Sequence, residues 1–225
     1  MVITFLGHAC LHITTTTSSL IVDPFISGNP LAKHVAVDAI EADYLLLTHA
    51  HQDHVLDVEQ IANNNDLTLV SNFEIVHHFQ EKGIKGHPMN HGGSWTFPFG
   101  NLTYTSALHS SSFPDGTYGG QPGGFILQAD GKTIYIAGDT ALSYDMKLIP
   151  MRHQLDLAVL PIGDNFTMGV EDAIIASDFV NCNKILGYHY DTFDAIEIDH
   201  QAAVERFKQQ HKELILLNCS GSISL

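Results

Sequence analysis

Apolar residues along this chain follow two spacings, one typical of β-strands and one typical of α-helices. Short apolar runs that end in polar turn residues predict strands in several parts of the chain. Apolar residues three and four positions apart predict helices over 55–63, 73–82, 170–181 and 199–211. The predicted strands are 2–6, 11–14, 20–22, 43–48, 67–71, 92–99, 101–108, 124–129, 133–137, 157–161, 184–187 and 214–217.

The order of these elements indicates the fold class. Strands followed by alternating strands and helices occur twice, and no Pro- or Ser-rich linker separates the two occurrences. This order favours an α+β protein with two mixed sheets packed face to face and helices outside. With 225 residues and 44% hydrophobic content, the chain is long enough for one large core. We therefore expect a single domain over residues 1–225.

Charge and cysteine content exclude several classes of protein. The formal net charge is -15, from 25 acidic and 10 basic residues, so we expect no nucleic-acid partner. The three cysteines, Cys10, Cys182 and Cys219, show no C-x-x-C spacing and are interpreted as reduced thiols. No charged leader precedes the first predicted strand, and no apolar stretch has membrane-spanning length. We expect a cytoplasmic protein with no membrane partner.

The segment 48–54, T-H-A-H-Q-D-H, is the strongest chemical signal in the chain. It follows the apolar run 44–47, so His49 and His51, two positions apart in a strand, are expected to face the same side and bind one cation. Asp53 and His54, beyond the turn, would face a second position. A chain with 15 histidines places some of them together by chance. Here, however, the four side chains interrupt a strand-to-helix junction, and imidazole with carboxylate suits zinc, manganese, iron or nickel.

Two cations need more ligands than one loop supplies. Three further candidates stand where an apolar run meets a polar loop, which is the usual position of site residues on a rigid scaffold. His109 ends the predicted strand 101–108, Asp139 follows 133–137, and His189 follows 184–187.

Residues 49–54, H-A-H-Q-D-H, match in full the signature H-x-H-x-D-H of the metallo-β-lactamase superfamily. The chain therefore resembles that superfamily. Further motifs look like a branch of metal-dependent hydrolases related to L-ascorbate-6-phosphate lactonase. These motifs are F-L-G-H-A (5–9), I-V-D-P-F (21–25), A-G-D-T (137–140), L-P-I-G (160–163), F-T-M-G (166–169) and H-Y-D-T-F (189–193).

This resemblance implies a four-layer αββα sandwich and two divalent cations per chain, which would be zinc, manganese, nickel or iron. In the superfamily each cation is held by a group of side chains, and one carboxylate bridges the pair. The implied ligands are His49, His51 and His109 at the first cation, Asp53, His54 and His189 at the second, and Asp139 between them.

Two other residues allow two interpretations each. The resemblance suggests that His8 faces the site, where it would act as a second acid or oxyanion donor, but a polar turn residue is an equal alternative. Asp23 either orients a ligating imidazole or caps the D-P turn that it begins.

The implied reaction is hydrolysis of a small ester, lactone or phosphoester by a hydroxide that two cations activate. Asp139 would orient the hydroxide and relay its proton, which makes it a catalytic residue together with His8. The expected partner is a small-molecule substrate, and a homo-oligomer is left open. The alternatives are a redox member or a non-catalytic metal-binding member of the same fold. Against the redox alternative, His51 stands where the diiron members have Glu.

Overall fold

The computed structural model describes all 225 residues and contains two seven-stranded mixed sheets. The order of strands is β14-β1-β2-β3-β4-β5-β6 in the first sheet and β13-β12-β11-β10-β9-β8-β7 in the second. Strands of the first sheet are β1 (Val2–Phe5), β2 (Leu11–Thr14), β3 (Ser19–Val22), β4 (Tyr44–Leu46), β5 (Thr68–Asn72), β6 (Gly86–Met89) and β14 (Ser222–Ser224). Strands of the second sheet are β7 (Ser94–Phe97), β8 (Gly100–Ser106), β9 (Gly123–Ala129), β10 (Lys132–Ile136), β11 (Leu157–Pro161), β12 (Lys184–Tyr188) and β13 (Glu213–Ile215).

Both sheets follow the same plan. In the first sheet the three pairings from β14 through β1 and β2 to β3 are antiparallel. In the second sheet the three pairings from β7 to β10 are antiparallel. The other three pairings of each sheet are parallel. Parallel neighbours need crossover connections, which the helices supply. The α-helices are α1 (Gln52–Val55), α2 (Val58–Asn64), α3 (Phe73–Glu81), α4 (Val170–Phe179) and α5 (His200–Gln209). Short 3-10 helices cover Pro30–Ala32, Val37–Ala39, Tyr144–Met151 and Asp194–Ile196.

Three apolar clusters hold these layers together. The first fills the space between the sheets and includes Leu11 and Phe125. The second packs α2 and α3 on the outer face of the first sheet, and the third packs α4 and α5 on the outer face of the second. The helix–sheet–sheet–helix order predicted from the sequence is therefore confirmed.

Several helices and strands differ from the prediction in their bounds or were not predicted. The helix expected over 55–63 is two helices, and α1 begins already at Gln52, inside the ligand-bearing segment. Strand β6 was not predicted because it contains Pro88, which is tolerated at the edge of a sheet. The three-residue strand β14, at the opposite edge, was also missed. None of the helices has the length and apolar character needed to cross a membrane.

Gly138 lies at a close approach that the fold requires. Its φ is 69°, and a Cβ built there would overlap Gly123 O and crowd Thr48. Gly131 has nearly the same φ, 71°, but no atom lies within 4 Å of an added Cβ. An alanine at each of these two glycines therefore separates the energetic cost of a left-handed backbone from the cost of steric overlap.

We expect Gly131→Ala to lower the free energy of unfolding by about 1 kcal/mol, the cost of a left-handed conformation. Gly138→Ala should lower it by about 1–3 kcal/mol more, because the added methyl also displaces Gly123. Urea unfolding of both variants measures the difference. Equal losses would show that the close approach does not matter.

Candidate metal centre

All the candidate residues follow the carboxyl ends of strands. Within each sheet, the strands that carry the candidate residues all run in the same direction. In the first sheet, β1 and β3 are both antiparallel to β2, which lies between them. In the second sheet, β8 and β10 are both antiparallel to β9. The amide of His189 donates to the carbonyl of His8 over 2.8 Å, which joins the sheets at this edge. His8 follows β1, Asp23 β3, the segment 48–54 β4, His109 β8, Asp139 β10 and His189 β12.

The backbone at three of these strand ends is left-handed. His8, Asp23 and His189 have φ values of 54°, 44° and 56°. This conformation costs a non-glycine residue about 1–2 kcal/mol, so it persists only where surrounding contacts stabilise it. All three side chains are buried at the candidate centre.

His49, His51 and His109, here called the first triad, converge on one point. Their candidate ligand atoms all lie within 4.8 Å of one another. Nε2 of His49 and Nδ1 of His51 are 3.0 Å apart. The expectation that His49 and His51 extend a strand is wrong, because β4 ends at Leu46. They converge through the irregular chain between β4 and α1.

Asp53, His54 and His189, here called the second triad, form a neighbouring group. Their ligand atoms also lie within 4.8 Å of one another, and His8 lies within the same limit. Asp53 and His54 belong to α1, which begins immediately after His51. The turn from loop to helix therefore directs the two halves of the segment toward different points.

Asp139 lies between the triads. Its Oδ2 is 2.9 Å from Nε2 of His189 and 3.4 Å from Nε2 of His54, both of the second triad. The same atom is 3.7 Å from Nε2 of His109 and 3.9 Å from Nε2 of His49, both of the first triad. One carboxylate oxygen thus faces four imidazole nitrogens.

Several buried atoms at this point have no hydrogen-bond partner. They are Nε2 of His54, both ring nitrogens of His189, and Oδ1 of Asp139. The close approach of His189 to Asp139 is not aligned as a hydrogen bond. Buried polar atoms in proteins are nearly always paired, so unpaired ones that converge indicate an ion. This donor set fits divalent cations that accept nitrogen and oxygen ligands.

Asp23 and Thr48 fix the orientation of two imidazoles. Oδ2 of Asp23 accepts from the Thr48 hydroxyl at 2.6 Å and from Nδ1 of His54 at 3.0 Å, while Oδ1 accepts from the Thr48 amide at 2.8 Å. Because the Thr48 hydroxyl donates to Asp23, Nδ1 of His49 donates to Thr48 over 3.0 Å. Nε2 of each histidine is thereby left facing the centre. Of the two interpretations of Asp23, the structure favours the orienting one.

His8 faces the centre rather than the outside of its turn. The ring is fully buried, with Nε2 3.0 Å from Oδ2 of Asp53 and Nδ1 2.9 Å from the hydroxyl of Thr192. Burial and the neighbouring His189 lower the pKa of His8 to about 4. Neither Thr48 nor Thr192 was assigned a role from the sequence, although both stand within three positions of a candidate ligand.

The pKa values of two histidines in the centre are shifted in opposite directions. Burial holds the pKa of His49 well below its ordinary value. Burial has the same tendency at His54, but the carboxylates of Asp139 and Asp23 outweigh it and raise the pKa of His54 well above its ordinary value. Burial opposes ionisation of Asp139 too, yet His189 and His54 hold its pKa well below the usual range.

Comparison with known proteins places this geometry in context. Residues 2–189 match the family model described as the beta-lactamase superfamily domain. A "UPF0173 metal-dependent hydrolase" of Flavobacterium johnsoniae is 61% identical over 225 residues, and one of Christiangramia forsetii is 60% identical over 226 residues. Each alignment covers 100% of both chains.

A solved structure has the same fold. Igni18, described as a novel metallo hydrolase from the hyperthermophilic archaeon Ignicoccus hospitalis, superposes with a TM-score of 0.89 at 29% identity. The superposition covers 99% of this chain and 97% of Igni18. The fold that the sequence motifs implied is confirmed.

Asp23→Asn tests the orienting contacts. The side-chain amide of Asn has only one acceptor oxygen, so the donors of Thr48 and His54 compete for that oxygen. We expect cation affinity to fall by about 10–100-fold and the free energy of unfolding by about 1–3 kcal/mol. Competition with a chelating dye and urea unfolding measure the two effects. Asp66→Asn, on an exposed carboxylate, is the control, and unchanged affinity in Asp23→Asn would contradict the assignment.

The raised pKa of His54 predicts proton release on metal binding. The carboxylates of Asp139 and Asp23, which raise the pKa of His54, favour its protonated form in the metal-free protein, and a cation can bind Nε2 only after that proton leaves. We expect Zn²⁺ binding at pH 7 to release about two protons per chain, one from His54 and one from the water that the cations ionise, and affinity to fall steadily as the pH is lowered, because the proton competes with the cation for His54. Calorimetry in buffers of different ionisation enthalpy counts the protons. Heats that do not depend on the buffer would contradict this prediction.

Proposed function

The chain belongs to the β-lactamase superfamily and, within it, to the UPF0173 metal-dependent hydrolases, and from this membership we propose hydrolysis of a small ester, lactone or phosphoester with two divalent cations. One observation carries the proposal: a single oxygen of Asp139 faces nitrogens of both triads within 4 Å. Such a carboxylate can bridge two ions. The donor set suits zinc, manganese, nickel or iron.

The proposed ligands follow the two triads. The first triad would hold one cation and the second triad the other, with Asp139 between them. The side-chain hydrogen bonds support ligation by both triads. Nδ1 of His49 donates to Thr48 and Nδ1 of His54 donates to Asp23, so Nε2 of each ring can bind a cation. When bound, two cations supply an ionised water near neutral pH and polarise the carbonyl or phosphoryl oxygen of the substrate.

Asp139 would act as the catalytic base and acid. Its Oδ1 has no partner, whereas Oδ2 faces the imidazoles. We assign Oδ1 to hold the proton of the attacking water while the bond from water oxygen to substrate forms. The same proton then passes to the leaving-group oxygen as its bond to the acyl or phosphoryl group breaks.

For His8 we propose a positioning role. Both ring nitrogens are engaged, one by Asp53 and one by Thr192, so neither is free to exchange a proton with a substrate. A general acid or an oxyanion donor has to reach the substrate. His8 instead would fix the rotamer of Asp53 through the bond between Nε2 and Oδ2, and so affect the second cation.

A turnover assay tests the proposal. The purified protein, freed of metal by chelation and then loaded with zinc, manganese, nickel or iron, is assayed with p-nitrophenyl acetate, a γ-lactone and bis(p-nitrophenyl) phosphate. We expect turnover only after loading, with at least one class of substrate. Undiminished turnover in the presence of excess chelator would contradict the proposal, and so would failure to hydrolyse any of the three classes.

Asp139→Asn separates catalysis from folding. The amide cannot take up a proton, so we expect kcat to fall by about 100-fold or more. The unfolding midpoint of the metal-free protein should also fall, because the carboxylate pairs with protonated His54, so both variants are assayed at a temperature well below their midpoints. Asp172→Asn, on an exposed carboxylate of α4, is the control. Equal activity of the two variants would remove Asp139 from the reaction.

A further inference from the structure

No cationic side chain forms a hydrogen bond or an ion pair with the candidate metal centre. None of the chain's ten Lys and Arg residues makes a hydrogen bond or an ion pair with a candidate ligand. Lys33, in a loop that follows the helix Pro30–Ala32, is exposed and has no ion-pair partner. Six of the others pair with acidic residues elsewhere: Lys82, Lys85, Lys132, Arg206, Lys208 and Lys212.

The centre also has no net positive charge with which to attract an anion. Asp23, Asp53 and Asp139 provide three carboxylates, and all three touch a candidate ligand or are ligands themselves. Together with one ionised water they balance the charge of two divalent cations completely. A substrate with a phosphate or carboxylate group would therefore add uncompensated negative charge, in a protein whose formal net charge is already -15.

Exposed apolar side chains occur instead beside the centre. Leu108 immediately precedes the ligand His109 and is 62% exposed. Its backbone is held by Thr140, which follows Asp139. Phe166 is 57% exposed, and its loop is tied to the same place because Met168 N donates to the carbonyl of Thr140.

A second group of apolar side chains lies beside His8. The ring of Phe193, which is partly exposed, lies 5.5 Å from the ring of His8 and 6.2 Å from that of Phe25. Leu56, two residues beyond His54, lies against Gly28, and Gly28 also contacts the Phe25 ring. Leu56, Leu108, Phe166 and Phe193 are here called the apolar rim.

We infer that the substrate is an uncharged carboxylic ester or lactone that carries an apolar group, and that the apolar rim binds this group. The inference rests on the proposed function, because it names the substrate class of the same centre. Exposed apolar residues around a site gain free energy when a ligand covers them. The balanced charge, and the absence of any ion pair between a Lys or Arg and a candidate ligand, disfavour phosphoesters and anionic esters as substrates.

Matched substrates test the inference. p-Nitrophenyl hexanoate and mono-p-nitrophenyl adipate have acyl groups of equal length that differ by a terminal carboxylate, while p-nitrophenyl acetate lacks the apolar chain. With metal-loaded protein, kcat/KM for the hexanoate should exceed the values for the acetate and the adipate by at least about tenfold. p-Nitrophenyl phosphate should be the poorest substrate. Equal or higher kcat/KM for the adipate or the phosphate overturns the inference.

A binding measurement keeps the inference apart from the proposed function. The p-nitroanilides of hexanoic, acetic and adipic acid share the acyl groups of the esters but resist hydrolysis. Calorimetry should show that the hexanoyl anilide binds at least about tenfold more tightly than the acetyl and adipoyl anilides. If none of the three substrate classes is hydrolysed and this preference is found, the proposed function fails, whereas the binding of the apolar group by the apolar rim stands. If phosphoesters are hydrolysed best, the proposed function stands and the inference fails.

A charge placed on the apolar rim should weaken or abolish the preference. Phe166→Lys adds a cation where the acyl group is expected, so kcat/KM should rise for the adipate relative to the hexanoate by about tenfold. Trp95→Lys is the control, because Trp95 is 54% exposed on the edge strand β7, away from the ligand-bearing strand ends. An equal change of the ratio in the two variants, or no change in Phe166→Lys, overturns the assignment of Phe166.

Discussion

The rest of the site depends on the burial of the Asp139 carboxylate. Its side chain is 3% exposed, and its only ion-pair partners within 4.0 Å are histidines. An ionised carboxylate removed from water is stable only beside positive charge. Burial keeps His49 neutral, so the protonated His54 supplies part of that charge in the metal-free protein. A cation that displaces the proton provides the same compensation more strongly.

The fold makes this concentration of polar groups possible. Two sheets of the same plan meet at an edge where their ligand-bearing strands end, and each strand end delivers one side chain or one short segment. The left-handed backbone at His8, Asp23 and His189 is unfavourable in isolation. Hydrogen bonds such as those of Asp23 to Thr48 and His54 stabilise it. The apolar core between the sheets anchors the strands and so limits the movement of their ends.

The candidate ligands could be identified from the sequence because their chemistry contrasts with that of the residues that precede them. A histidine or an aspartate at the end of an apolar run is visible without a structure, and residues 49–54, His109, Asp139 and His189 all satisfy that description. The sandwich was predictable for a related reason, since the two spacings of apolar residues alternate clearly.

Contacts between distant parts of the chain were not predictable in the same way. Thr192 bonds His8 across 184 positions, and nothing in a threonine marks it as a partner. The edge strands β6 and β14 depend on their neighbours more than on their own residues. The apolar rim was hidden for the opposite reason, because Phe166 in a sequence cannot be told from a core residue until its exposure is known.

The most direct test of the central claim is anomalous diffraction from crystals grown with Mn²⁺, measured on both sides of the manganese absorption edge. The two-cation arrangement predicts two anomalous peaks about 3.5–4 Å apart, one within each triad, with the Asp139 carboxylate between them. A single peak, or two peaks that do not contact Asp139, would contradict it.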